Sequence, residues 1–552
     1  MTIGVIQKMK LLLLHNGQIS PQPRRGGEVV KKHLLFIVAM LTVFLLVSCF
    51  LKDKNTPPEI TIVSGPEGMT FESSSTFSWT GHDPDGEIVK YEYREDEGTW
   101  TDHGLGTDYT WNDYAFGEHV FEVRARDNGG KHSNILRWDF EYVDLPPDIA
   151  WAKCFGGRDF EHGFEVQQTD DGGYIIAAQT QTTADDGDVT GNKGGYDVWI
   201  VKLDGSGNLV WQKCLGGSSG DYARSIQQTS DGGYIVAGMT YSNDKDVNGN
   251  HGEADAWIVK LDSLGNIQWQ KCLGGSKNDY AYSIQQTRDG GYIFAGETWS
   301  NDGNVSGMKG LYDAWIVKLN SLGDLIWQKC LGGTAGDKAT SIRETDDGGF
   351  IVVGQTWSND GDFSGNHGES DAWVAKLNPS GILQWLKRFG GSHDDAALSV
   401  QQTIDGGYIV AGGSVSNDGD VSGNNGETDL WVFKLDSLGN MQWQRCYGGS
   451  NHDYGNCIQN TDDGGYIIVG GTMSNDVDVS GNHGDYDFWI VKLDSAGNLQ
   501  WQKCLGGSGI DLGRSIRQTD DGGYVIAGST ESDDHDVTGN KGASDVWLVK
   551  LE

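Results

Sequence analysis

The chain has 552 residues and carries 41 Lys and Arg side chains against 78 Asp and Glu side chains, a formal net charge of −37. A surface this acidic repels nucleic acid and anionic lipid, so neither is expected to be a partner. It suits cations, neutral glycans or a basic patch on another protein instead.

The N-terminal segment, residues 1–48, has the features of an export signal. A basic stretch precedes an apolar run at 34–47, which is too short to span a bilayer and is typical of a signal-peptide core. The run ends in Leu46-Val47-Ser48-Cys49, a tetrad that resembles the bacterial lipobox. The resemblance implies that residues 1–48 are a lipoprotein signal peptide, that Cys49 is lipidated, and that residues 49–56 form a tether. An uncleaved anchor or an ordinary signal peptide is the alternative.

The same resemblance implies a place in the cell envelope. The residue after Cys49 is Phe50 rather than aspartate, which by the rule known for enteric lipoproteins favours the outer membrane. We therefore expect an outer-membrane lipoprotein that is exposed at the cell surface and held there by its lipid anchor. A monomer is the expected state.

Residues 57–145 differ in texture from the rest of the chain. Proline pairs at 57–58 and 146–147 bracket short β-rich runs, separated by turn sequences such as Asp83-Pro84-Asp85-Gly86. Several short strands in about 90 residues predict a small β-sandwich. The segment resembles bacterial immunoglobulin-like or fibronectin-III-like modules, which implies a spacer role, with glycan binding by exposed aromatics as the alternative.

Residues 146–552 contain seven copies of a repeat of about 58 residues, marked by one tryptophan in each copy: Trp151, Trp211, Trp269, Trp327, Trp385, Trp443 and Trp501. Each copy reads as four antiparallel strands joined by tight turns and one long polar loop, which is the blade of a β-propeller. The last copy ends after its third strand, and residues 149–154 have the pattern of the missing fourth strand. The predicted fold is all-β: a closed seven-bladed β-propeller, with the N-terminal strand completing the last blade, plus the small β-sandwich.

The run from Leu261 to Trp269 resembles the tryptophan-docking repeat of quinoprotein-type propellers, in which Leu-Asp, a turn glycine and a tryptophan recur. The whole unit resembles tandem β-propeller repeats in lipoproteins and secreted proteins of Bacteroidota. This resemblance covers residues 149–552 and implies the fold. It implies neither an activity nor a bound quinone, and no cofactor is predicted with certainty.

The polar loops carry paired acids one residue apart, a pattern compatible with Ca²⁺, which takes several oxygen ligands in flexible geometry. The alternative is that these side chains accept hydrogen bonds from nearby backbone amides and shape the loop. The candidate metal ligands are Asp186, Asp188, Asp244, Asp246, Asp302, Asn304, Asp360, Asp362, Asp418, Asp420, Asp476, Asp478, Asp534 and Asp536. A further aspartate opens each third strand, as Asp255 does, and is expected to bind backbone amides.

Candidate ligand-binding residues lie next to these loops. Trp299, Trp357 and Tyr241 begin polar loops, where exposed aromatic rings beside Asp and Asn suit a sugar or a peptide; packed loop anchors are the alternative. His251, His367 and His483 occupy one loop position in alternate copies, too far apart to share one metal ion.

The predicted function is a non-enzymatic binding or scaffold module for a glycan or protein ligand, and Ca²⁺ is a candidate cofactor that would assist the binding. No catalytic residue is assigned, because nearly every carboxylate has counterparts in the other copies, whereas catalysis usually needs a distinct acid and base. A propeller-type glycosidase or lyase is one alternative. A purely structural surface spacer is another.

Overall fold

The computed structural model describes residues 40, 55–66, 68–70, 74–112, 114, 117–143, 145–182 and 185–552. The chain divides between Tyr142 and Val143 into two compact units. Both units are built from β-strands, so the all-β prediction is confirmed. The predicted signal peptide, apart from residue 40, and Cys49 lie outside the described residues. Within the described ranges, no helix is long and apolar enough to cross a bilayer.

The first unit has two sheets that enclose one aromatic core. The strands are β1 (Glu59–Ser64), β2 (Gly68–Thr70), β3 (Ser75–His82), β4 (Ile88–Glu95), β5 (Thr101–Gly104), β6 (Asp108–Trp111), β7 (Gly117–Asp127) and β8 (Leu136–Tyr142). One sheet has the order β1-β3-β6 and the other β2-β8-β7-β4-β5. Phe77 and Trp79 from the first sheet pack against Phe121 and Trp138 from the second, the arrangement of a β-sandwich.

The described residues of the second unit form seven four-stranded antiparallel sheets, so the prediction of four strands per repeat is confirmed. Sheets 1 to 4 comprise β10 (Glu161–Gln168), β11 (Tyr174–Thr180), β12 (Asp197–Leu203), β13 (Leu209–Leu215); β14 (Asp221–Gln228), β15 (Tyr234–Thr240), β16 (Asp255–Leu261), β17 (Ile267–Leu273); β18 (Asp279–Gln286), β19 (Tyr292–Thr298), β20 (Asp313–Leu319), β21 (Leu325–Leu331); β22 (Asp337–Glu344), β23 (Phe350–Thr356), β24 (Asp371–Leu377), β25 (Leu383–Phe389). Sheets 5 to 7 comprise β26 (Asp395–Gln402), β27 (Tyr408–Ser414), β28 (Asp429–Leu435), β29 (Met441–Tyr447); β30 (Asp453–Asn460), β31 (Tyr466–Thr472), β32 (Asp487–Leu493), β33 (Leu499–Leu505); β34 (Asp511–Gln518), β35 (Tyr524–Thr530), β36 (Asp545–Leu551), β9 (Ile149–Phe155). A 3₁₀ turn at Gly361–Phe363 interrupts the loop between β23 and β24.

The second and third strands of the sheets form the core because neighbouring sheets cover both of their faces. Every residue of β16 is buried, and Trp257 is 1% exposed, with its indole N–H donating to Gln270 Oε1 at 2.8 Å. The fourth-strand tryptophans are half-buried, except for Trp501, which is buried. They pack on the next sheet, as Trp211 does. Gly265 has φ +76°, and a Cβ there would lie 2.8 Å from the Trp211 ring, so this turn requires glycine.

The first and last repeats meet in two places. Strand β9 pairs antiparallel with β36, with Cys154 opposite Trp547. Val525 and Leu548 of sheet 7 share a hydrophobic cluster with Val166 and Ile176 of sheet 1. Strand β10 contacts both β14 and β34. The first strand of sheet 1 therefore has first strands on both sides.

Candidate functional site

Two positions in the first strand of each sheet differ from repeat to repeat, although the surrounding residues stay nearly constant. The second residues are His162, Tyr222, Tyr280, Lys338, Ala396, Tyr454 and Leu512. The fourth residues are Phe164, Arg224, Tyr282, Thr340, Leu398, Asn456 and Arg514. In a repeat protein, packing against identical neighbours keeps scaffold positions alike. The variable positions are therefore candidates for a role other than packing.

The fourth position is a β-bulge in all seven sheets. In sheet 2, Ala223 pairs with Gly238 and Ser225 with Ala237, so Arg224 has no partner across the ladder. The same shift recurs in the other six first strands. A bulge re-aims the extra side chain away from the regular alternation. It places these variable side chains in a common cavity.

This wide cavity has a volume of about 610 Å³ and is lined by residues from all seven sheets. Its lining combines aromatic rings, three cationic side chains and one carboxylate: His162, Phe164, Gln179, Tyr222, Arg224, Tyr282, Lys338, Thr340, Leu398, Asn456, Ile510, Leu512, Arg514, Ser529 and Glu531. Its size lies in the range of small-molecule sites, about 300–1,000 Å³.

The cations of the wide cavity have no carboxylate partner. Within the described part of the chain, Arg224, Lys338 and Arg514 form no salt bridge. The Arg224 guanidinium lies 4.3 Å from the centroid of the Phe164 ring. Burial lowers the pKa of Arg224 and that of Lys338. The cost of desolvating a charge is thus present here without the compensation of an ion pair.

A narrow cavity of about 180 Å³ is lined further along the same first strands, again by all seven sheets. Its lining has two arginines and one carboxylate. Arg343 donates to the Ser283 hydroxyl and the Ile342 carbonyl, and the other arginine forms an ion pair. Arg517 Nη2 lies 2.6 Å from Glu165 Oε1, and most of the remaining lining is glutamine. Glu165 replaces the serine or cysteine found at this position in the other repeats, such as Ser225. A further cavity of about 850 Å³ near the Asp-Gly-Gly turns also has paired charges, such as Lys434 with Asp405 at 2.7 Å.

The three predicted aromatic residues differ in the side chains that they contact. Tyr241 is 41% exposed and shares a hydrogen bond of 3.0 Å with Tyr280, a second-position residue. The Trp357 ring centroid lies 5.3 Å from Lys338 Nζ, in the cavity lining. Trp299 is half-buried, and its indole N–H donates to Glu297 Oε1 at 3.1 Å.

The candidate metal ligands connect the polar loops to the links between sheets through hydrogen bonds. Asp244 Oδ1 accepts the Ser218 N–H at 2.8 Å, and Asp246 Oδ2 accepts the Gly216 N–H at 3.2 Å. Sheets 3 to 7 repeat both bonds; in sheet 1, Asp186 pairs with Arg158 and Asp188 accepts the Gly156 N–H. Among the described residues, no group of three or more His, Cys, Asp or Glu side chains could hold a metal ion. These hydrogen bonds are the ones expected if the acids shape the loop, which is the alternative to calcium binding.

The three predicted histidines lie in three separate sheets, each bound to a buried aspartate of its own repeat. His251 Nδ1 is 2.6 Å from Asp255 Oδ2, and the same oxygen accepts the His251 N–H at 3.0 Å. His367 and His483 make the corresponding contacts with Asp371 and Asp487 at 2.8 and 3.0 Å. The histidines hold the loop onto the third strand, and none of them lines the wide cavity.

The junctions between sheets contain a pair of buried carboxyls, of which the sequence analysis singled out only one member. First and third strands run in the same direction, so their opening acids, Asp279 and Asp255 at one junction, meet at the same end. Asp279 accepts the Gly275 N–H at 2.7 Å and the Ser300 hydroxyl at 2.8 Å, whereas in the described chain Asp255 Oδ1 has no partner. The missed signal is an acid that recurs five residues after each link glycine.

Burial raises the pKa of the third-strand carboxyls. The pKa is raised to about 6 for Asp197 and Asp313, and to about 7 for Asp429 and Asp545. Desolvation is the main cause, and the neighbouring first-strand carboxyl adds a smaller contribution at each of these junctions.

No protein-family model matches the sequence. The regulatory protein FlaEY of Caulobacter vibrioides is 24% identical over 249 residues, which are 42% of this chain and 25% of that protein. The chain thus spans about a quarter of the length of this curated relative. A quinoprotein alcohol dehydrogenase-like protein from Bacteroides thetaiotaomicron is 9% identical, with 81% of this chain and 96% of that chain covered and a TM-score of 0.34. The extracellular domain of a one-component system from the same organism is 10% identical, with 86% and 60% covered and a TM-score of 0.23.

Proposed function

We propose that the protein is a binding module of the cell envelope and that its ligand occupies the wide cavity. The seven sheets are taken as the blades of a closed seven-bladed propeller. The support for closure is that β10 contacts first strands on both sides and that every sheet contributes to the same cavity. In such a ring the first strands surround the central axis, and the cavity is its mouth.

The observation that carries the proposal is where the repeats differ. The turns, the link glycines and the second and third strands are nearly the same in every repeat. The second and fourth residues of the first strands differ between repeats. All seven fourth residues and four of the seven second residues line one cavity. A ring of identical units has seven equivalent surfaces, whereas a single ligand needs an asymmetric set of contacts. The differences provide that asymmetry.

The test is a glycan array and a protein array probed with detergent-extracted full-length protein. We expect a selective ligand whose binding is lost in Tyr282→Ala, which removes a ring from the cavity wall. Leu322→Ser is the matched control, because Leu322 is 66% exposed in a turn far along the sheet from the cavity. Equal loss in both variants, or no loss in either, contradicts the proposed site.

The proposal includes attachment to the outer membrane through Cys49, on the strength of the lipobox resemblance. In a bacterial host, radiolabelled palmitate is expected to label the wild-type protein and not Cys49→Ala. The variant is expected in the soluble fraction. Palmitate labelling of Cys49→Ala to the wild-type level contradicts this anchor.

A carbohydrate-active enzyme is a second candidate, favoured by one carboxylate. Glu531 lines the wide cavity and has no acidic counterpart in the other repeats, where this position holds residues such as Tyr241 or Val415. Burial raises the pKa of Glu531, as suits a general acid. If a bound glycan is cleaved by the wild type and not by Glu531→Gln, this candidate replaces simple binding.

A further inference from the structure

The wide cavity combines positive charge and flat apolar rings within a strongly acidic protein. Arg224 on β14 and Arg514 on β34 reach the cavity from the two strands that flank β10. His162 and Phe164 of β10 lie between them. The pKa of His162 is lowered, first by burial and then by Arg514 and Arg224, so the three groups share one electrostatic environment.

The two guanidiniums are prepared to receive an anion. Arg224 is held over the Phe164 ring, which restricts the position of its guanidinium. Its side-chain hydrogen bond is a long one, at 3.4 Å to the Ala223 carbonyl. For Arg514, the described residues provide no hydrogen bond and no salt bridge. A carboxylate accepts two parallel N–H bonds from such a fork.

The rest of the wall suits a saccharide better than a peptide. Tyr222 and Tyr282 supply aromatic rings for the apolar side of a pyranose. Asn456 and Thr340 already donate to backbone carbonyls and can still accept hydrogen bonds from sugar hydroxyls. The net charge of −37 repels a long polyanion approaching the surface. A short ligand whose charge lies inside the cavity avoids most of that repulsion.

We infer that the wide cavity binds a short saccharide bearing a carboxylate, with Arg224 and Arg514 as the carboxylate receptors and Tyr282 as a stacking surface. This inference rests on the proposed function, in which the wide cavity is the ligand site. The acidic sugar is the ligand class, and an acidic peptide is the competing outcome.

The test is isothermal titration calorimetry of the full-length protein with three probes: a galacturonic acid trisaccharide, a neutral galactose trisaccharide and a tri-glutamate peptide. The acidic sugar is expected to bind about tenfold or more tightly than the neutral one. Arg224→Gln and Arg514→Gln are each expected to weaken it by about tenfold or more, because a charge-assisted bond is lost. Arg445→Gln, an exposed arginine on β29, is the matched control and is expected to change the affinity by less than about twofold.

Arg224→Lys keeps the charge and removes the fork, so an intermediate loss is expected. Circular dichroism of each variant shows that a loss of affinity is not a loss of fold. Equal affinity for the neutral sugar, with binding still lost in Tyr282→Ala, overturns the acidic-sugar inference and leaves the proposed cavity standing. Tighter binding of the peptide overturns the inference as well. If neither sugar binds, the inference is overturned, and the arrays alone decide the proposed function.

Discussion

The two cavities along the first strands are built by the same seven strands and differ in whether an arginine is paired with a carboxylate. In the narrow cavity, Arg517 is paired with Glu165, a carboxylate that replaces the serine of most repeats. In the wide cavity, Arg224 and Arg514 have no acidic partner among the described residues. One repeat unit can therefore place an arginine in a cavity either with an acidic partner or without one. The difference comes from single substitutions at inward-facing positions.

Scaffold residues are expected to stabilise the fold strongly, whereas residues of the cavity wall are expected to contribute less to the free energy of unfolding. Trp315 is fully buried in β20, whereas Tyr282 is half-buried in the cavity wall. Trp315→Ala is expected to cost about 3–5 kcal/mol of unfolding free energy, as large-to-small core substitutions do. Tyr282→Ala is expected to cost less than half as much. Urea denaturation of both variants measures the difference, and equal costs would remove the distinction.

Breaking the charge pair of the narrow cavity is expected to have the next largest effect. Arg517→Gln removes the ion-pair partner of Glu165 and leaves it only the Ser225 hydroxyl and the Ile226 N–H, at a cost of about 2 kcal/mol. Adding Glu165→Ser recreates the serine and glutamine of sheet 2, Ser225 and Gln227, and is expected to restore most of the stability. Urea denaturation of the single and double variants measures this. Arg514→Gln is the control, with a cost below about 1 kcal/mol because it leaves no unpaired carboxylate. No recovery in the double variant contradicts the pairing.

The buried carboxyls at the sheet junctions predict a stability maximum at mildly acidic pH. Burial raises the pKa of Asp429 and that of Asp545 to about 7 in the folded chain, from the ordinary value of 3.8. A carboxyl whose pKa is higher in the folded chain than in the unfolded chain stabilises the protein fully below about pH 4. This stabilisation is lost as the pH rises from about 4 through about 7. For Asp171, burial opposes hydrogen bonds from Thr169, Lys202 and Gly173 that lower its pKa to about 2, so its contribution is lost below pH 4.

We expect the melting temperature to fall by about 3 °C or more between pH 5 and pH 8. Asp429→Asn removes one buried charge and is expected to flatten that dependence. Differential scanning calorimetry at several pH values is the measurement. A melting temperature that rises from pH 5 to pH 8 would show that these carboxyls are ionised without penalty.

The smallest effect is expected on removing calcium. The loop carboxylates, such as Asp244 and Asp246, already accept backbone N–H groups. EDTA is therefore expected to change the melting temperature by less than about 1 °C, since a ligand stabilises only by binding the folded state. Calorimetry with and without added Ca²⁺ measures this. A larger stabilisation that disappears in Asp244→Ala would establish the polar loops as calcium sites.

The features that all seven repeats share were predictable from the sequence, and the features in which the repeats differ were not. Tryptophan spacing and turn glycines located the strands, because packing against identical neighbours forces identical residues. The recurring acids, such as Asp244 and Asp246, are conspicuous in the sequence, and in the structure they accept backbone N–H groups that hold the loops. Arg224 and Arg514 were missed because they do not recur. Tyr241 and Trp357 were found because they also break the repeat, and both contact cavity residues.

The bulge in each first strand has a consequence for how such a protein changes over time. Arg224 takes no part in the ladder between β14 and β15, so its replacement disturbs neither the register nor the neighbouring pairs. The same holds for the equivalent residue of every other sheet. Seven positions can thus mutate while the strand pairing of the seven sheets is kept. The residues that determine the fold are thus different from those that determine ligand specificity. Specificity for a new ligand can evolve by substitutions in one sheet at a time.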